Sequence, residues 1–162
     1  MAANLDIASI VRDHYEIVYR FCARRVGIQA AADASQETFI TAQRVLKNFR
    51  GDSTLRTWLL GIANNECRKM SRSKKFELPI ELQDISEAGP LESQLIDRHS
   101  LQDALDKLSA EHREVVLLHE VEGLNYEEAA SIIGVPVGTV KSRLHHAFAN
   151  LRRSLRSFQV ET

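Results

Sequence analysis

Apolar residues recur at steps of three and four near the start of the chain, at Ile7, Ile10, Val11, His14, Val18, Phe21 and Cys22. That spacing puts them on one face of an α-helix, which Gly27 ends. A second helix is expected over about 31–48, with Phe39, Ala42, Val45 and Leu46 on its inner face. A polar loop, Phe-Arg-Gly-Asp-Ser at 49–53, follows. The next stretch, 54–75, starts as a helix with Leu55, Trp58, Leu59 and Ile62 inward and ends in a basic run. Trp58 keeps register with Leu55 and Ile62, so it is read as core in preference to a stacking platform for a base.

The pattern weakens over 76–94, which holds Pro79, the Gly89-Pro90 pair and five acids. No helical period is sustained there before Leu91, and the segment reads as a linker. Helical order resumes with Ser109, an N-cap residue for a helix through Val115, Val116, Leu118 and Val121. Gly123 stops that helix. Asn125 and Glu128 have the spacing of a capping box for a short helix, about Tyr126 to Ile133, which Gly134 can close in the left-handed conformation. Pro136 suits the start of the last helix, near Val137, whose apolar face is Val140, Leu144, Ala147, Phe148 and Leu151. No long Val/Ile/Thr alternation argues for strands. The expected class is all-α, with two small helical domains, 1–75 and 95–162, joined by the acidic linker 76–94.

Charge changes this picture more than composition does. The chain of 162 residues is nearly neutral, at a formal net charge of −1, and that balance hides a division. Residues 1–75 carry 13 basic and 7 acidic residues; 76–106 carry one basic and 8 acidic. The rest is balanced, yet it changes sign at the Gly-Val-Pro break. Glu120, Glu122, Glu127 and Glu128 precede the break; Lys141, Arg143, Arg152, Arg153 and Arg156 follow it. Clustered cations are the footprint of a nucleic-acid binder, although a charge run on a helix is also the ordinary dress of a solvated face.

The local pattern favours the first, although a helical hairpin in any bundle can imitate it. A short helix, a tight Gly-containing turn and a second helix with an apolar back and a polar front form a helix-turn-helix. The front of such a second helix enters the major groove, where its first residues meet base edges and phosphates. Thr139, Lys141, Ser142, Arg143, His145 and His146 occupy that front. The sign change is then explained, because the acidic first helix stands off the DNA.

Other chemistry is thin. Cys22 and Cys67 lie far apart among apolar neighbours and are read as buried thiols. No CxxC or HExxH spacing suggests a metal, no Gly-rich phosphate loop is present, and no cofactor is expected. No apolar run approaches the length of a membrane span, and the acidic N-terminus lacks the order of a signal peptide. A cytoplasmic protein without direct membrane insertion is expected.

The segments LSAEHREVVLLHEVEGLNYEEAASIIG and GVPVGTVKSRLHHAFANLR resemble region 4 of the extracytoplasmic-function (ECF) sigma factors, bacterial initiation factors of the sigma-seventy family. The likeness covers almost all of 108–153. It implies that this domain reads the minus-thirty-five promoter element, with Thr139, Lys141, Ser142, Arg143, His145 and His146 toward the DNA. The segment DASQETFITAQRVLKNFRGDSTLRTWLLGIANNECRK resembles ECF region 2. There the resemblance implies that Asp33, Gln36 and Glu37 meet the clamp helices of the polymerase β′ subunit, with Phe39 in the core. Gln43 stands where the family often has Trp.

The Phe49–Thr54 loop matches the family's receptor for a base flipped from the minus-ten element, and Asn65 matches a position near that pocket. Arg50, Asp52, Ser53, Thr54, Arg56, Asn65, Arg68 and Lys69 are the implied minus-ten residues. Arg72, Lys74 and Lys75 could join them on the strand backbone without reading sequence. Capture of an extruded base offsets part of the few kcal/mol that unstacking costs, roughly, per base. The resemblance also implies contact with the β flap, an anti-sigma factor partner, and promoter-specific initiation by core RNA polymerase without enzymatic activity of the chain itself.

Three other readings compete. A sigma-like decoy would bind an anti-sigma factor and no DNA, but cations stand at both DNA positions. An ordinary dimeric regulator would leave the region 2 likeness unexplained. A thiol or metal enzyme would need Cys22, Cys67 and the six His to converge, and their placement is scattered.

Overall fold

The computed structural model describes residues 5–70 and 98–160. The expected linker at 76–94 and the cations Arg72, Lys74 and Lys75 lie outside the described residues. Contacts divide the chain into two units, Met1–Lys75 and Phe76–Thr162. Among the described residues every regular element is helical.

Unit 1 is a three-helix bundle of α1 (Ile7–Val26), α2 (Ile28–Val45) and α3 (Leu55–Met70), with a short 3-10 turn at Leu46–Asn48. Gly27 alone separates α1 from α2; its φ of 88° is open to glycine and strained for other residues. Ile10, Val18, Phe21 and Cys22 are buried as the apolar period requires, and Ile7, Val11 and His14 flank them half-buried. Helix α2 starts three residues earlier than its apolar face indicates, because alanines carry the first turns. Ala30, Ala31, Ala34 and Ala42 are all buried, and small side chains let α2 approach its neighbours closely.

Helix α3 differs from expectation in its inward face. Leu55, Trp58 and Ile62 are only half-buried, while Thr57, Leu59, Leu60, Ala63, Asn64, Glu66 and Cys67 are buried. Leu59 is buried as expected; with Leu60 it shares the tight centre with small and polar residues, while Leu55, Trp58 and Ile62 mark the flank. The Trp58 ring rests on Phe49, 5.0 Å between centroids, so the loop covers that flank.

Unit 2 comprises α4 (Arg98–Asp106), α5 (Ala110–Val116), a π-helical turn (Leu117–Val121), α6 (Tyr126–Ile133) and α7 (Val137–Val160). Ser109 caps α5 by accepting from the His112 N–H at 3.2 Å. The helix expected to run on to Val121 widens at Leu117, where the Glu122 N–H reaches back to the Leu117 carbonyl at 2.9 Å. This turn buries Leu117 and Leu118 and swings the chain toward α6. Leu118, Val115, Val140 and Ala147 are fully buried, and Leu144 and Leu151 nearly so.

A candidate nucleic-acid interface and an exposed stripe on α2

The helix-turn-helix is α6, a turn and α7. Its entry is fixed by a reciprocal pair of bonds. The Glu128 N–H donates to Asn125 Oδ1 at 2.7 Å, and the Asn125 N–H donates to Glu128 Oε1 at 3.3 Å. Its turn is fixed by Gly134, at φ 82° and ψ 36°, whose N–H bonds the Ala130 carbonyl at 2.8 Å. With Val140, Leu144, Ala147 and Leu151 turned inward, the opposite side of α7 faces water.

That side holds most of the expected front. Lys141, Ser142, His145 and His146 are exposed; Thr139 and Arg143 are half-buried. These residues are not loose. Lys141 Nζ lies 5.3 Å from the centroid of the Tyr126 ring, within cation–π range. Arg143 Nη2 lies 3.6 Å from Glu111 Oε1 on the first turn of α5. The His146 ring stacks on His112, 6.4 Å between centroids, and its Nδ1 lies 2.8 Å from the Ser142 carbonyl. A carbonyl only accepts, so His146 carries its proton on Nδ1 and turns Nε2 outward. Sequence reading found the front of α7 and missed Glu111, His112, His119 and Tyr126, which hold it. The period of one helix carries no signal about partners on another.

In unit 1 the exposed side of α2 carries Asp33, Gln36 and Glu37, with Phe39 buried behind them. The three recur at steps of three and four and share one outer stripe, which Ile40 and Gln43 continue. Ile40, 48% exposed, breaks the usual burial of its type and gives the stripe an apolar patch. Ile7, Val11 and Tyr15 of α1 border it, around a groove of about 550 Å³.

The loop and α3 present the expected minus-ten residues. Arg50, Asp52, Thr54, Asn65 and Lys69 are exposed; Ser53, Arg56 and Arg68 are half-buried. Gly51, at φ 78°, turns the loop. The Thr54 hydroxyl caps α3, accepting from the Thr57 N–H at 3.1 Å. Lys69 is tethered by the buried carboxylate of Glu66 at 3.3 Å, and Glu66 also accepts from the Thr41 hydroxyl at 3.1 Å. The buried Glu66 was not singled out by sequence reading.

Cys22 and Cys67 meet between α1 and α3. The Cys67 thiol donates to Cys22, and this bond together with burial pushes the Cys67 pKa well above its ordinary value. Among the described residues no group of three or more His, Cys, Asp or Glu could hold a metal, and no helix is long and apolar enough to cross a membrane.

A family model of sigma-70 region 2 matches residues 10–77, and one of sigma-70 region 4 matches residues 98–151. The chain belongs to the sigma-70 family of RNA polymerase sigma factors. Within that family it is an ECF sigma factor by its relatives. It is 36% identical to the ECF RNA polymerase sigma factor SigE of Mycolicibacterium smegmatis over 94% of the chain, and spans 63% of that protein's length. It is 35% identical to the RNA polymerase sigma-H factor of Pseudomonas aeruginosa, covering 78% of the chain and 74% of that protein. The sigma factor RpoE of Bartonella quintana, solved in complex with the anti-sigma factor NepR, is similar in structure. Its TM-score is 0.70 at 25% identity, over 93% of this chain and 97% of that one.

The region 2 match falls almost wholly in unit 1, and the region 4 match falls within unit 2. The expected all-α class and the expected family are both found.

Proposed function

We propose that this sigma factor directs core RNA polymerase to a narrow set of promoters, with unit 1 and unit 2 reading different elements. The observation that carries the reading is the front of α7. Lys141, Ser142, His145 and His146 project from a helix whose back is locked in a core, behind a turn that only Gly134 makes easily. A helix so mounted is stiff enough to read base edges in a major groove. Thr139, Lys141, Ser142, Arg143, His145 and His146 are assigned to the minus-thirty-five element.

In unit 1 we assign Asp33, Gln36 and Glu37 to the β′ clamp helices. Arg50, Asp52, Ser53, Thr54, Arg56, Asn65, Arg68 and Lys69 are assigned to the minus-ten element. Unit 2 also meets the β flap. The chemistry of initiation belongs to polymerase, so the chain is not an enzyme. It acts in the bacterial cytoplasm, where polymerase and chromosome are. The structural likeness to a sigma factor held by an anti-sigma factor supports a partner of that kind here.

Run-off transcription with core polymerase on a pooled promoter library tests this. Initiation from few promoters, abolished by Lys141→Ala with Arg143→Ala, is the expected result. Core binding without initiation would favour the decoy. Absence of core binding would remove the assignment of α2.

A further inference from the structure

The side chain over which Lys141 rests is itself held from three directions. Tyr126 is the first residue of α6, and the capping pair Asn125 and Glu128 fixes its backbone. Its ring stacks on His119 of the π-helical turn, 4.7 Å between centroids and 17° between planes. His119 is fixed in turn by its Nδ1, 2.8 Å from the Leu124 carbonyl, which requires the proton on that nitrogen. His119 Nε2 lies 3.6 Å from Glu120 Oε1. A turn, a cap and an imidazole thus set the plane of one phenol ring, and the Lys141 ammonium lies over it.

Tyr126 is 36% exposed, high for a ring so constrained. Nothing about packing the core requires that ring where it is. What it does touch on the outer surface is a cation of the recognition helix. A lysine has a long flexible stem and loses much rotamer freedom when it binds. A ring that already gathers the ammonium removes part of that loss before DNA arrives. The pull of an exposed ring is weaker than a good base contact, so the ring orients the lysine without keeping it from DNA.

We infer that Tyr126 is a positioning residue for Lys141: a platform, braced by His119, that presets the lysine for the minus-thirty-five element. This rests on the reading of Lys141 as a DNA contact. The platform lies outside the recognition helix, so part of this sigma factor's promoter preference is written in the first residue of α6 and in the turn that braces it.

The test is a double-mutant cycle on the full chain. The probe is the duplex that the wild-type chain selects from a randomised pool, and affinity is read by fluorescence anisotropy. Tyr126→Leu is expected to weaken binding about two- to fivefold, the size of an exposed cation–π contact. The same change in the Lys141→Ala background is expected to cost nothing further, and Tyr126→Phe is expected to restore affinity, since the ring alone is needed. Equal loss in both backgrounds would overturn the inference, because Tyr126 would then act on DNA or on the fold directly; so would no loss in either.

The free protein supplies a second readout. The Lys141 ε-methylene protons are expected upfield by ring-current shift in the NMR spectrum, and to move back in Tyr126→Leu. A shift present while Lys141→Ala leaves affinity unchanged would sink the DNA role of Lys141, and the platform's function with it. A shift absent while Lys141→Ala weakens binding would sink the platform and leave the DNA role standing.

Discussion

Arg143 on the recognition helix and Glu111 on the first turn of α5 form an ion pair at 3.6 Å, with the arginine side chain 20% exposed and the glutamate 68% exposed. A pair so open to water contributes little to stability, about 0–1 kcal/mol. Its larger consequence is on binding. The carboxylate competes with phosphate or base for the same guanidinium and places a negative charge beside the DNA. Glu111→Gln should therefore leave the melting temperature nearly unchanged and tighten DNA binding. The plot of log affinity against log salt should steepen by about one charge or less. Anisotropy titrations across a series of salt concentrations check both.

The capping pair at α6 offers a stability test that the sequence alone could frame. Asn125 Oδ1 takes the Glu128 N–H at 2.7 Å, and Asn125→Ala should cost about 1 kcal/mol, within the range of about 0.5–2 for lost caps. Asn125→Asp should cost less, since a carboxylate there also meets the positive end of the helix. Urea unfolding of the three proteins orders them.

These caps were legible because their information is local. Ser109, Gly123, Asn125, Gly134 and Pro136 act through bonds or dihedrals within a few residues, and each is found where the spacing puts it. The front of α7 was legible for the same reason. What one helix period cannot carry is contact between elements. The bond from Thr41 to Glu66, the grip of Glu111 on Arg143 and the ring of Tyr126 under Lys141 all join positions that only folding brings together. The face of α3 was misread for a different reason. Leu59 is buried as its period requires, but the core centres on Leu59, Leu60 and Ala63 and leaves Leu55, Trp58 and Ile62 on the flank, where Phe49 covers Trp58.

That misreading yields a comparison of like with like. Leu60 is fully buried and Leu55 only half-buried on the same helix. Leu60→Ala should cost about 2–5 kcal/mol, as for other buried leucines, and Leu55→Ala roughly half as much. Equal costs would restore the expected face with Leu55 inward. Chemical denaturation of each variant measures the difference.

The outer stripe of α2 gives the opposite profile. Asp33 and Glu37 are exposed, and Glu37→Lys should change stability by less than about 0.5 kcal/mol. If the stripe docks on polymerase, the same change should abolish core binding in a pull-down and leave DNA binding by unit 2 intact. Loss of both would indicate a damaged fold and would not count as support.

Cys67 supplies a pH test. Its thiol is held above the ordinary value of 9.0, chiefly because it donates to Cys22 and then because it is buried. A raised folded pKa means that the folded chain keeps this proton where the unfolded chain has lost it. The stability it contributes is full below the unfolded pKa and is lost as pH rises beyond it, by at most about 1.4 kcal/mol per pH unit. Unfolding free energy should therefore fall between about pH 9 and 10. Tyrosines and lysines titrate there too, and Cys67→Ala alone would leave Cys22 buried without the bond that lowers its pKa, so the decisive quantity is the difference from the double variant Cys22→Ala with Cys67→Ala. That variant begins less stable at pH 8, having lost a buried hydrogen bond, and should show a shallower decline with pH. Parallel slopes for the two proteins would mean that the thiol pair ionises as freely in the fold as outside it, and the hydrogen bond from Cys67 to Cys22 would have to be given up.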